Sequence, residues 1–148
     1  MNLSDYLSKD CVLFIDTGEK SGVLERLIEA ARDAGKVGNM YRFAEAVGAR
    51  ELIMSTGIGL GVAVPHAKLQ EIADFFIVLG IVRNGIEWDA IDEQPVRLVF
   101  LIGGPEADQT GYLKILSGIV HFVKNSGRRQ KLIDATDAEG VIAALENG

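Results

Sequence analysis

The chain has 148 residues, 48% hydrophobic and 24% charged, with a formal net charge of −6, which is one domain's worth of folded protein around a single core. The acidic balance and the lack of any basic block exclude broad contact with a nucleic-acid backbone, although a basic protein partner remains compatible. The longest apolar run, residues 75–82, is far below the roughly 20 residues that cross a bilayer, residues 1–5 lack a signal-peptide pattern, and the single cysteine, Cys11, permits no intrachain disulfide, so a cytoplasmic location is expected.

In chain order, residues 3–7 suit a short opening helix and residues 12–15 a strand, with Cys11 as a small apolar neighbour and a break at Asp16-Thr17-Gly18. A helix is predicted over 21–34, because Leu24, Leu27, Ile28 and Ala31 recur at three- and four-residue steps and Gly35 can end it. Asn39 can cap a second helix that carries Tyr41 to Val47 and extends towards Ile53. Residues 75–82 and 96–102 are short, apolar and bounded by turn residues, so they read as buried central strands. Asn84-Gly85 and residues 92–95 supply turn chemistry between them, and Gly103-Gly104-Pro105 is expected to end the second strand. A helix starting near Asp108 carries a stripe of Leu113, Leu116, Val120 and Val123, and a closing helix over 137–145 takes Asp137 or Thr136 as cap. Strands and helices interleave without a linker, so the class is α/β (α+β), a single domain over 1–148.

The chemistry is concentrated in residues 55–68, where three glycines alternate with apolar residues ahead of Pro65 and His66. Free backbone N–H groups in such a loop can cradle an anion, and Ser55 and Thr56 add hydroxyl donors. Pro65 fixes its own φ and drives Val64 towards an extended conformation, so His66 sits at a stiff strand end. The glycines match neither a P-loop nor a G-x-G-x-x-G dinucleotide motif, so a nucleotide site is unsupported. A neutral imidazole is nucleophilic near pH 7 and can take and release a phosphoryl group. Arg50 can contribute a bidentate guanidinium and Lys68 a point charge for the transferring group. Taken singly, each of these residues also has an ordinary reading as a surface or structural group. His121 reads as a solvated surface residue, and Trp88 with Asp89 as packing and turn, all outside the site.

The pattern Arg50-Glu51-x-x-x-Ser55-Thr56-Gly57-Ile58-Gly59-x-Gly61-Val62-Ala63-Val64-Pro65-His66-x-Lys68 resembles the active-site signature of the fructose/mannitol-type enzyme IIA domains of the bacterial phosphotransferase system, a signature shared by the nitrogen-regulatory enzyme IIA proteins. The likeness continues through Trp88-Asp89-Ala90-Ile91-Asp92, residues 95–102 and Pro105-Glu106, and it covers essentially the whole chain. It implies a mixed sheet flanked by helices. It implies that His66 accepts phosphate from the histidine-containing phosphocarrier protein, that Arg50 stabilises the charge, and that an enzyme IIB receives the group. Ser55, Thr56, Gly57, Gly59 and Lys68 are the candidate phosphate-binding positions. No metal or organic cofactor is implied, and contact with a membrane arises only through enzyme IIB and IIC. The chain departs from the pattern at Tyr112, which stands where many members carry a second histidine. A phenol offers one hydrogen bond but no cation near neutral pH, so Tyr112 is a changed phosphate neighbour. Besides sugar phosphotransfer, a regulatory role in which phosphorylation switches binding to a target protein fits the same site.

Overall fold

The computed structural model describes residues 2–16 and 18–146. Its elements are β1 (Val12–Phe14), α1 (Lys20–Asp33), α2 (Met40–Ile53), β2 (Gly57–Gly59), β3 (Val62–Ala63), β4 (His66–Leu69), β5 (Phe76–Ile86), β6 (Val96–Pro105), α3 (Gln109–Val123), α4 (Ser126–Asp134) and α5 (Ala138–Glu146). The sheet is mixed and flanked by these five helices, with strand order β1-β5-β6-β3-β2. β5 and β6 form its antiparallel centre, running from Phe76 opposite Gly103 to Ile86 opposite Val96. β3 and β4 both lie parallel to β6, with Val62 opposite Leu98 and His66 opposite Ile102. They follow one another along the same side of β6, interrupted at Val64-Pro65, with β2 outside β3.

The apolar runs behave as their pattern demands. From Phe76 to Val82 every residue of β5 is buried, and so is most of β6. Each such Val, Ile, Leu or Phe contributes roughly 1.5–3 kcal/mol on burial. α1 packs on β5, placing Leu27 against Gly80, while α2 packs on β4 and so sits beside His66. Caps fall where the sequence puts them. Asn39, Asp108 and Asp137 each accept a backbone N–H three residues on, from Arg42, Gly111 and Gly140.

Several expectations are corrected. The opening helix is a 3-10 turn over Leu3–Tyr6, capped by the Asn2 side chain, because four residues are too few for a stable α-helix. Asn84-Gly85 does not end a strand. β5 continues to Ile86 and absorbs the left-handed Gly85 (φ 77°) as an irregularity in register. Gly103-Gly104-Pro105 likewise stays within β6. A Cβ on Gly103 would strike the Phe76 ring and one on Gly104 the Phe75 ring, so these glycines serve close packing rather than termination. The buried face of α3 is Tyr112, Ile115, Ile119, Phe122 and Val123, and Leu113 is exposed. α4 has no counterpart among the predicted elements, and β2, β3 and β4 arise within what reads as a glycine loop. Thr17, part of the expected break, lies outside the described residues.

Candidate active site

His66 is the first residue of β4, and the backbone before it is pinned to the sheet centre: Pro65 O accepts the Ile102 N–H at 3.0 Å. The ring is half-buried. His66 Nδ1 lies 3.2 Å from Val64 O. A carbonyl can only accept, so Nδ1 carries the hydrogen and Nε2 presents its lone pair. Tyr112 Oη is 3.3 Å from the same Nδ1, where it can accept a second share of that hydrogen, and the two ring centroids are 4.6 Å apart.

Burial holds the His66 pKa below its ordinary value of 6.5; the Val64 hydrogen bond opposes it, the charges of Arg50 and Lys68 push further down, and the Glu51 carboxylate pulls weakly back up. The ring is therefore neutral at pH 7, the nucleophilic form. Burial also raises the Tyr112 pKa above 10, so the phenol keeps its proton. The consequence can be measured: the His66 ring protons, followed by NMR, titrate with a midpoint below 6.5. The unfolded chain binds this proton at higher pH than the folded one, so the group's stabilising share is present above pH 6.5 and falls as pH drops towards the folded midpoint. A midpoint at or above the ordinary value would contradict the burial argument.

The loop ahead of His66 is held by a network that sequence reasoning leaves out. The Glu51 carboxylate, at the end of α2, accepts both the Thr56 N–H (3.1 Å) and the Thr56 hydroxyl, and it pairs with Lys20 Nζ of α1 at 2.8 Å. The fully buried Trp88 donates its indole N–H to Thr56 Oγ1 at 3.3 Å. Its carbonyl accepts from Ser55 Oγ (3.0 Å) and from Lys20 Nζ (3.2 Å). Gly57 N–H is donated to Ser55 Oγ at 3.1 Å, and a Cβ on Gly57 would press into the Ala90 backbone. The donors of Thr56 are thus committed to Glu51, and Thr56 contributes position rather than an open anion contact. Glu51 and Trp88 stand inside the recurring sequence pattern, which is the signal that could have found them.

The β2–β3 turn presents Leu60 and Gly61, both left-handed at φ 61° and 74°, as a two-residue hairpin requires. Asp92 Oδ2 accepts the Leu60 N–H at 3.1 Å and keeps this exposed leucine at the tip.

Among the sequence candidates, Arg50, Ser55, Thr56, Gly57 and Tyr112 line one cavity of about 880 Å³ together with His66. Arg50 reaches it from the last turn of α2, with one guanidinium nitrogen donating to Met54 O at 2.7 Å. Lys68 lines a smaller neighbouring cavity with Arg50 and His66, donates to Gln109, and lies 5.0 Å from the Tyr112 ring centroid. Gly59 is paired into β2 and does not line either cavity. His121 is exposed on α3, away from this cavity.

A half-buried imidazole with one nitrogen left free by the Val64 contact thus shares an open cavity with a guanidinium on a mixed sheet flanked by helices. The chain belongs to the family described as "Phosphoenolpyruvate-dependent sugar phosphotransferase system, EIIA 2", whose model matches residues 5–148. It is 31% identical over 143 residues to the "PTS system fructose-specific EIIABC component" of Bacillus subtilis, matching 96% of this chain but spanning only 22% of that protein. It is 33% identical to the "PTS system fructose-specific EIIA component" of Haloferax volcanii, covering 82% of this chain and 79% of that one. A "Nitrogen regulatory protein" of Bradyrhizobium diazoefficiens is 30% identical, with 98% and 95% covered. Among solved structures, the nitrogen regulatory protein IIA-Ntr of Neisseria meningitidis superposes with a TM-score of 0.87 at 28% identity, covering 96% of this chain and 97% of that one. The mannitol IIA of Escherichia coli shares the fold, with a TM-score of 0.80 at 16% identity, covering 93% and 97%.

Proposed function

We propose that this chain is a cytoplasmic phosphocarrier in which His66 Nε2 accepts a phosphoryl group from the histidine-containing phosphocarrier protein and passes it to an enzyme IIB. The observation that carries this reading is the Nδ1···Val64 O contact at 3.2 Å, which leaves Nε2 as the free nucleophile beside Arg50. As the bond from Nε2 to phosphorus forms and the donor's P–N bond breaks, the ring becomes an imidazolium, and the Val64 carbonyl stabilises its Nδ1–H. Arg50 meets the charge spread over the phosphoryl oxygens. Lys68 adds a second positive charge, and Tyr112 fills the flank of the imidazole. Exposed Met54, Ile58, Leu60 and Ile91 ring the cavity, which suits docking of another protein over the histidine. No helix among the described residues is long and apolar enough to cross a membrane.

Incubation with phosphoenolpyruvate, enzyme I and the histidine phosphocarrier should add one phosphate by intact mass, labile to acid and stable to base. No gain, with a known acceptor working in the same tube, would overturn the reading. Arg50→Ala should slow uptake by roughly 10²–10³-fold, the usual loss when one transition-state donor is removed, and Arg50→Lys should recover part of it. Rapid-quench mass measurement checks both, and an unchanged rate in Arg50→Ala would remove Arg50 from the chemistry.

The near full-length match to the nitrogen regulatory protein supports a second reading, in which phospho-His66 switches docking of a regulatory target rather than feeding a sugar transporter. A pulldown with phosphorylated and unphosphorylated protein separates the two. Identical partner sets would exclude the switch.

A further inference from the structure

The molecule has a second cavity that shares no lining residue with the His66 cavity. It is about 410 Å³, a size that holds small organic ligands, and it lies between α3, the start of α4, the end of α5 and the N-terminal 3-10 turn. Lys114, Ser117, Gly118 and His121 line it from α3, at i, i+3, i+4 and i+7, which is one helical face. Tyr112, Leu116, Val120 and Val123 face the His66 cavity from the same helix, so α3 forms a wall of both.

The charge balance of this second cavity is inverted relative to the chain. The protein carries a net charge of −6, yet no Asp or Glu lines the cavity, while Lys114, Arg128 and His121 all do. Among the described residues none of these three side chains makes an ion pair, and none donates a hydrogen bond. Arg128 is nevertheless positioned: its guanidinium carbon lies 5.7 Å from the Phe122 ring centroid, so the group is braced on an aromatic face with its donors unspent. Leu3, Phe122 and Leu145, each nearly fully buried, supply an apolar wall, and Ser117 adds a hydroxyl.

We propose that this cavity binds a small organic phosphate, a phosphomonoester on a compact apolar body. Arg128 offers a planar fork to two phosphate oxygens, Lys114 and the Ser117 hydroxyl complete the polar end, and the leucines and Phe122 take the body. Two permanent cations favour a dianion over a monoanion. The site stands apart from the phosphocarrier reading, because it uses none of the residues around His66.

Phenyl phosphate is the probe, with inorganic phosphate (the charge without the body) and benzoate (the body with one charge) as comparisons. Amide shifts of the ¹⁵N-labelled protein are followed in an Arg50→Ala, Lys68→Ala background, so that phosphate held by the cations beside His66 does not confuse the result. Phenyl phosphate should give saturable shifts at Ser117, Gly118 and His121, with at least tenfold weaker binding of either comparison. Lys114→Gln and Arg128→Gln, both at the surface, should each weaken it fivefold or more while the rest of the spectrum stays unchanged. Saturable shifts that persist in both variants would overturn the proposal. So would equal affinity for benzoate or inorganic phosphate, or shifts confined to residues outside this cavity, or no saturation up to about 20 mM, weaker than the millimolar binding expected of a small ligand.

Discussion

His66→Gln takes up no phosphate from the donor chain, a loss of more than about 10⁴-fold, the scale expected when a covalent nucleophile is removed. Glutamine keeps the polarity and much of the volume of the imidazole, but its amide nitrogen has no available lone pair. Its amide lies at the depth of Nε2 rather than Nδ1, so the Val64 carbonyl loses its partner, which costs about 1 kcal/mol at a half-buried position and leaves the fold intact. That separation is the value of the variant: Arg50, Lys68, the glycine loop and the docking face remain in place, and the imidazole with its free nitrogen is lost. Uptake of one phosphate by His66→Gln, at any rate close to wild type, would mean that another residue is the acceptor. His121 would then be the first to examine, since it is the only other histidine in the chain.

The parts of the fold that were legible in the sequence are those where local pattern and tertiary environment agree. β5 and β6 are buried along nearly their whole length, so uninterrupted apolar runs mark them. α1, α2 and α5 announce themselves through spacing and through caps that the structure uses, Asn39 and Asp137 among them. α3 was located at its start by Asp108 but turned about its axis. Tyr112, Leu113, Ile115, Leu116, Ile119, Val120, Phe122 and Val123 make two adjacent apolar faces, and periodicity alone cannot choose which one enters the core. The structure gives Leu116 and Val120 to the His66 cavity and leaves Leu113 about half exposed, at 51%. α4 escaped because only Leu132 and Ile133 of its nine residues are buried, too few to show a period. β2, β3 and β4 have two to four residues each and exist through pairing with one another and with β6, which no local signal contains.

The candidate site divides the same way. His66 and Arg50 stood out through the resemblance of residues 50–68 to the enzyme IIA signature, since a histidine after proline and an arginine upstream, taken singly, read as structural or surface groups. That Thr56 is committed to Glu51, and that Glu51 also reaches Lys20, depends on three elements meeting in space. The sequence shows only a threonine with a free-looking hydroxyl and a carboxylate at the end of a helix.

This meeting point makes the second large effect a property of a residue outside the chemistry. Glu51→Ala should cost about 3 kcal/mol of stability, near the low end for removing one partner of a buried pair. The Glu51 side chain is 7% exposed and Lys20 is 29% exposed, so the lysine can recover solvent while Thr56 cannot. The Thr56 N–H and hydroxyl would both lose their acceptor within a loop that Trp88 already closes from the other side. For a chain of this size the loss corresponds to a fall of roughly 6–12 °C in Tm. Glu51→Gln keeps one carbonyl oxygen for Thr56 but gives up the charge facing Lys20, so roughly half the loss is expected. Calorimetry on the two variants checks the magnitudes. Phosphate uptake measured well below both transitions checks the link to the site: Thr56 and Gly57 line the His66 cavity, so a loosened loop should slow transfer in Glu51→Ala even while the protein is fully folded. A drop in Tm with unchanged transfer would confine Glu51 to stability, and an unchanged Tm would mean that the Lys20–Glu51–Thr56 link contributes nothing to the fold.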